Sequence, residues 1–141
     1  MDWKRFRVYL QEKYSVSTAY LFIGFLDSNA QLYAMLQKAG YVLIFKPTLP
    51  DGEGHVKGNV DADLVLQAMV EFQNYDQAVI VSSDGDFYSL VKYLYEQNKL
   101  RTVLSPHYDT CSALLKKNAK EKIDFIYTLR HKIEYKRKGT A

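Results

Sequence analysis

Apolar positions along the chain switch between two spacings, and each switch marks an element. Trp3, Phe6, Leu10 and Tyr14 share roughly one side of a helix over residues 3–14. Ala19 to Phe25 is a continuous apolar and aromatic run, the pattern of a buried strand rather than a helix. Ser28 or Asn29 stands where a cap belongs, and Leu32, Met35, Leu36 and Ala39 then recur at helical spacing. Gly40 occupies the place of a left-handed C-terminal residue. Tyr41 to Phe45 gives a second strand, and Pro47 to His55, with Pro50, Gly52 and Gly54, reads as one long turn-rich loop.

The second half repeats the alternation. Asp61, Leu64, Val65, Ala68, Met69 and Phe72 form an amphipathic stripe at i, i+3, i+4, i+7, i+8 and i+11. Ala78 to Val81 is a strand, and Phe87, Leu90, Val91 and Leu94 then take helical spacing. Leu100 to Leu104 is another strand, and a helix starting at Thr110 or Ser112 runs to about Ala119. Ile123 to Leu129 is apolar, a short last strand before a basic tail. Strands alternating with helices predict an α/β fold of three layers, α/β/α, around a mainly parallel sheet.

Composition narrows the class. The 141 residues suit one domain, predicted over 1–131 with a tail at 132–141, and 48% hydrophobic content is enough for a real core. Cys111 is the single cysteine, which rules out an intramolecular disulfide, and His55, His107 and His131 match no zinc spacing. No run reaches the roughly 18 apolar residues of a membrane span, and the N-terminus lacks a signal-peptide core. A cytoplasmic protein with no membrane partner is the expectation. The net charge of +3 is unevenly spread. Lys4, Arg5 and Arg7 crowd one end, and Lys116, Lys117, Lys120, Lys122, Arg130, Lys132, Lys136, Arg137 and Lys138 the other. Such runs suit a polyanion, and they equally suit a solvated helix face.

The chemistry concentrates at Val79-Ile80-Val81-Ser82-Ser83-Asp84-Gly85-Asp86-Phe87, where an apolar strand stops at small residues, two carboxylates and a glycine. Loops at the carboxyl ends of strands are where α/β sheets bind ligands, and two such acids can share a hard cation. The plainer alternative makes Asp86 a helix cap and Asp84 an ordinary turn residue. Asp61 heads the apolar stripe of its helix, whereas Asp63 points elsewhere. An acid facing inward at a helix start is capping, paired or holding a cation.

Lys57-Gly58-x-x-Asp61, followed by a strand running into Ser-x-Asp-Gly-Asp-Phe, resembles the NYN domain family, which includes the LabA-like proteins. Ala19 to Gly24, Ala39-Gly40-Tyr41, Ser112-x-x-Leu115 and Asp124-Phe125-Ile126 extend the likeness over nearly the whole chain. The resemblance implies a PIN-like (Rossmann-like), Mg²⁺- or Mn²⁺-dependent ribonuclease fold. It makes Asp61, Asp84 and Asp86 the metal-binding and catalytic acids. Lys57, ahead of a helix N-terminus, is placed to meet a phosphate, or is a solvated loop lysine. With Asn59 and Ser83 it makes up the candidate substrate-binding set.

Two departures qualify that reading. The family opens with a central strand carrying an aspartate, and this chain begins at what looks like the following helix. Reading Asp27-Ser28-Asn29 as that motif conflicts with the fit of its flanks to the second strand and helix. An exposed sheet centre would favour self-association into a homo-oligomer. Gln67 stands where many relatives place another acid. The first expectation is an endoribonuclease acting on RNA, preferably single-stranded. The alternative is a catalytically inactive NYN-like module that binds RNA or a protein. Other phosphotransfer enzymes use Asp-x-Asp loops, but the HAD type needs its acids early, after the first strand.

Overall fold

The structure is a computed structural model and describes residues 2–46, 49–50, 56–57 and 61–126. Asn59, the tip of the 47–55 loop and the basic tail 132–141 lie outside the described residues. The described residues form two compact units, one ending at Gln67 and one starting at Ala68, and the division falls within a helix.

The first unit opens with α1 (Trp3–Tyr14). The Asp2 carboxylate accepts the Arg5 N–H at 3.1 Å, satisfying one of the unpaired donors of a helix start. Phe6, Tyr9, Leu10 and Tyr14 are buried. The helix stops at Ser15, which is left-handed with φ 58°. β1 (Ala19–Gly24), α2 (Ala30–Lys38) and β2 (Tyr41–Lys46) then make a βαβ unit, the two strands pairing parallel from Ala19↔Tyr41 to Gly24↔Lys46. Gly40, between α2 and β2, has φ +106°, a conformation that a side chain would strain. Its carbonyl accepts the Arg7 Nε–H at 3.3 Å. The same guanidinium donates to Val16 O at 3.1 Å and Ser17 O at 2.8 Å.

Ala19, Leu36 and Tyr41 form a buried cluster in this unit, with Trp3, Val16, Leu21, Ala39 and Leu43 packed on it. The Tyr41 hydroxyl donates to Trp3 O at 2.7 Å, and the two rings meet edge-on, 5.8 Å apart. Burial pushes the Tyr41 phenol up to about 12, against the pull of the Arg7 guanidinium and with a smaller push from the Asp2 carboxylate. β1 is less enclosed than its sequence suggests. Leu21, Phe22 and Ile23 are half-buried because they line an apolar cleft of about 440 Å³ beside α2. The predicted long loop also contains structure, since β3 (Leu49–Pro50) and β4 (Val56–Lys57) pair antiparallel.

α3 (Asp61–Val70) begins where the stripe begins, but none of its residues is fully buried. The second unit then forms a three-stranded parallel sheet, β5 (Ala78–Val81), β6 (Leu100–Ser105) and β7 (Ile123–Phe125), in that spatial order. α4 (Tyr88–Glu96) connects the first pair and α5 (Ala113–Ala119) the second. Val91, Leu94, Leu100, Val103, Leu104 and Leu115 have no solvent exposure and make its core. Lys99 stiffens the entry to β6. Its ammonium donates to the carbonyls of Phe72 and Tyr75 and lies 4.3 Å from the Phe72 ring centre. The architecture is therefore α/β with mainly parallel pairing, as the alternation predicts.

Candidate functional site

The site begins where β5 ends. Ser82 N–H still donates to Leu104 O at 3.0 Å, carrying the β5–β6 ladder one residue past the strand. The chain then turns. Ser82 Oγ accepts the Asp84 N–H at 3.0 Å, and Asp84 Oδ1 accepts the Asp86 N–H at 2.8 Å. A 3₁₀ turn at Gly85–Phe87 leads into α4, with Phe87 buried as its anchor. Asp84, rather than Asp86, is thus the cap. One carboxylate oxygen fixes the turn, which orients the side chain without neutralising it.

Ser112 closes the loop from the other side. Its N–H donates to Ser83 O at 3.1 Å, while its Oγ accepts the Leu114 N–H at 3.1 Å and caps α5. A Cβ on Gly85 would lie 2.4 Å from that Oγ and 3.0 Å from Ser112 Cβ, so the loop fits only a glycine here without displacement. The sequence marks Ser112 as a helix start, but nothing in it reveals the contact with Ser83 and Gly85.

Asp84 and Asp86, two residues apart in this loop, are exposed, and Asp61, in the first turn of α3, is half-buried. Carboxylate oxygens of this kind are the donors that a hard divalent cation takes. Asp63 is also half-buried. The NYN domain family pattern matches residues 1–128. The chain belongs to the NYN domain family.

The NYN assignment makes the fold nuclease-like. A crystal structure of a Vibrio parahaemolyticus protein of unknown function is similar. It has 26% sequence identity and a TM-score of 0.72, over 89% of this chain and 78% of that one. None of the curated proteins compared with the chain matches it. Among the other residues expected at this NYN site, Ser83 lies in the strand-end loop and Lys57 ends β4, while Asn59 is outside the described residues. Gln67 is half-buried in α3. No helix among the described residues is long and apolar enough to cross a membrane.

Proposed function

We propose that this NYN domain is a divalent-metal-dependent endoribonuclease that hydrolyses RNA phosphodiesters, preferably in single strands. The observation that carries the reading is the pair of exposed carboxylates, Asp84 and Asp86, in the loop that follows β5 in a chain of this family. Held by Asp61, Asp84 and Asp86, Mg²⁺ or Mn²⁺ would supply an activated water for in-line attack and would neutralise charge on the leaving oxygen. Asp84 presents its carboxylate in a fixed direction because the Asp86 N–H holds Oδ1. Asp86 follows two residues on, from a turn anchored by buried Phe87. Asp61 supplies the third acid from the first turn of α3. In this reading Lys57, Asn59 and Ser83 contact the substrate phosphates.

The test is cleavage of end-labelled single-stranded RNA with Mn²⁺, against EDTA and Asp84→Asn. Asparagine keeps the acceptor that caps the turn, so the variant loses charge without losing the loop. Cleavage should fall at least about 100-fold in the variant and vanish with EDTA. Undiminished cleavage by Asp84→Asn rejects the metal site. The neutral Gln67 favours a second reading, an inactive module that binds RNA or a protein partner. Mn²⁺ binding without cleavage, or no Mn²⁺ binding, would select it.

A further inference from the structure

Beyond the acids, the same end of the β5–β6–β7 sheet carries an aromatic side chain for which the fold has little use. Tyr108 follows β6 and is 61% exposed, so its ring contributes little to the core. It is nevertheless held. The Lys116 ammonium, from α5, stands 3.6 Å from the ring centre, and the Phe125 ring meets it edge-on at 5.2 Å and 66°. Phe125 ends β7, so the ring lies on the carboxyl-end side of the parallel strands. A turn closes behind it, with Cys111 N–H donating to Tyr108 O at 3.3 Å. The next residue is Ser112, whose N–H is bonded to Ser83 O in the acidic loop. Four residues of chain reach at most about 14 Å, which keeps Tyr108 close to that loop.

Tyr95 provides a contrast within the same unit. It too is flanked by lysines, with Lys120 and Lys122 ammonium groups 4.8 and 5.5 Å from its ring centre. There the hydroxyl donates to Glu121, at 2.8 Å to one carboxylate oxygen and 3.1 Å to the other. That contact is a local latch, and it raises the Tyr95 phenol pKa, chiefly through the Glu121 hydrogen bond. Tyr108 pairs an exposed ring with a cation on one face and carries no such carboxylate bond among the described residues. A π-face beside a cation is the combination that single-stranded nucleic acids use, a base on the ring and a phosphate on the ammonium. Because packing already orients the ring, stacking sacrifices little side-chain freedom.

We propose that Tyr108 and Lys116 form a nucleotide subsite that stacks one base of single-stranded RNA and meets its phosphate, next to the acidic loop. The proposal takes its ligand class from the ribonuclease reading, and its test is independent of cleavage. Binding of a labelled oligouridine and of a duplex RNA is measured with EDTA in the Asp84→Asn background. Tyr108→Ala should weaken oligouridine binding about tenfold, and Tyr108→Phe should stay within about twofold of the parent. Lys116→Gln should lower the slope of log K against log salt by about 0.7. Duplex affinity should change little, since paired bases are not free to stack. Thermal melts check that each variant is folded.

Parent-like oligouridine binding by Tyr108→Ala overturns the proposal. So does an equal loss with duplex, a loss in Tyr108→Phe as large as in Tyr108→Ala, or no binding by the parent. Tyr108-dependent binding of a poly-glutamate peptide in place of RNA also overturns it and marks the patch as a protein contact. If cleavage fails while Tyr108-dependent binding holds, the nuclease reading falls and the subsite stands. If cleavage occurs while binding is insensitive to Tyr108, the subsite falls and the nuclease reading stands.

Discussion

Gly85 ties the chemistry of the site to its packing, because Ser112 fills the space a side chain would need. Gly85→Ala should displace Ser112 from its cap on α5 and move the Asp84–Asp86 turn. Overpacking of this kind costs about 1–3 kcal/mol. Chemical denaturation should show that loss, and RNA cleavage should fall with it; a variant as stable and active as the parent would show that the contact is soft. At this scale the sequence is informative where the signal is local. Asp84 and Asp86 stand out because a strand, a glycine and a helix surround them, and Asp61 because it is in line with an apolar stripe. Which of the pair caps the turn depends on hydrogen bonds that spacing alone does not resolve. Ser112 is legible as a helix start, but its contacts with Ser83 and Gly85, like the setting of Tyr108 against Phe125, join residues distant along the chain, and no local pattern announces them.

Elements with sustained periodicity are legible in the sequence. α1, α2 and α4 fall where three or four apolar positions recur, and β5 and β6 where short apolar runs meet turn residues. β3 and β4 are not, since strands of two residues have no alternation and Pro50 argues against one. The α1–β2 contact through Tyr41 gives a prediction in pH. Its phenol is raised from 10.0 to about 12 in the folded chain. Below pH 10 the phenol is neutral in both states and the contribution is fully present. As pH rises from 10 through about 12 the unfolded chain ionises first, and the stability is lost. Tyr41→Phe should therefore show a shallower fall of unfolding free energy across that window than the parent. Equal slopes would remove Tyr41 as the cause, leaving the other raised tyrosines, Tyr75 and Tyr95.

For the whole molecule, the α/β alternation carries the fold class, while charge leaves two readings open. A net charge of +3 conceals a cationic C-terminal stretch. Neutralising Lys136, Arg137 and Lys138 together should lower the salt slope of single-stranded RNA binding by about 2 if each meets a phosphate. An unchanged slope would leave the tail a solvated run. The Arg7 guanidinium has a consequence for the order of folding. Its three acceptors include Gly40 O, 33 residues away, so the fork closes only after α2 and β2 have come back to α1. A contact of that separation is expected to form late, with a low φ-value. Arg7→Lys keeps the charge and loses the planar fork. It should leave the refolding rate near that of the parent and speed unfolding, so that Arg7 sets how long the native state lasts rather than how quickly it forms.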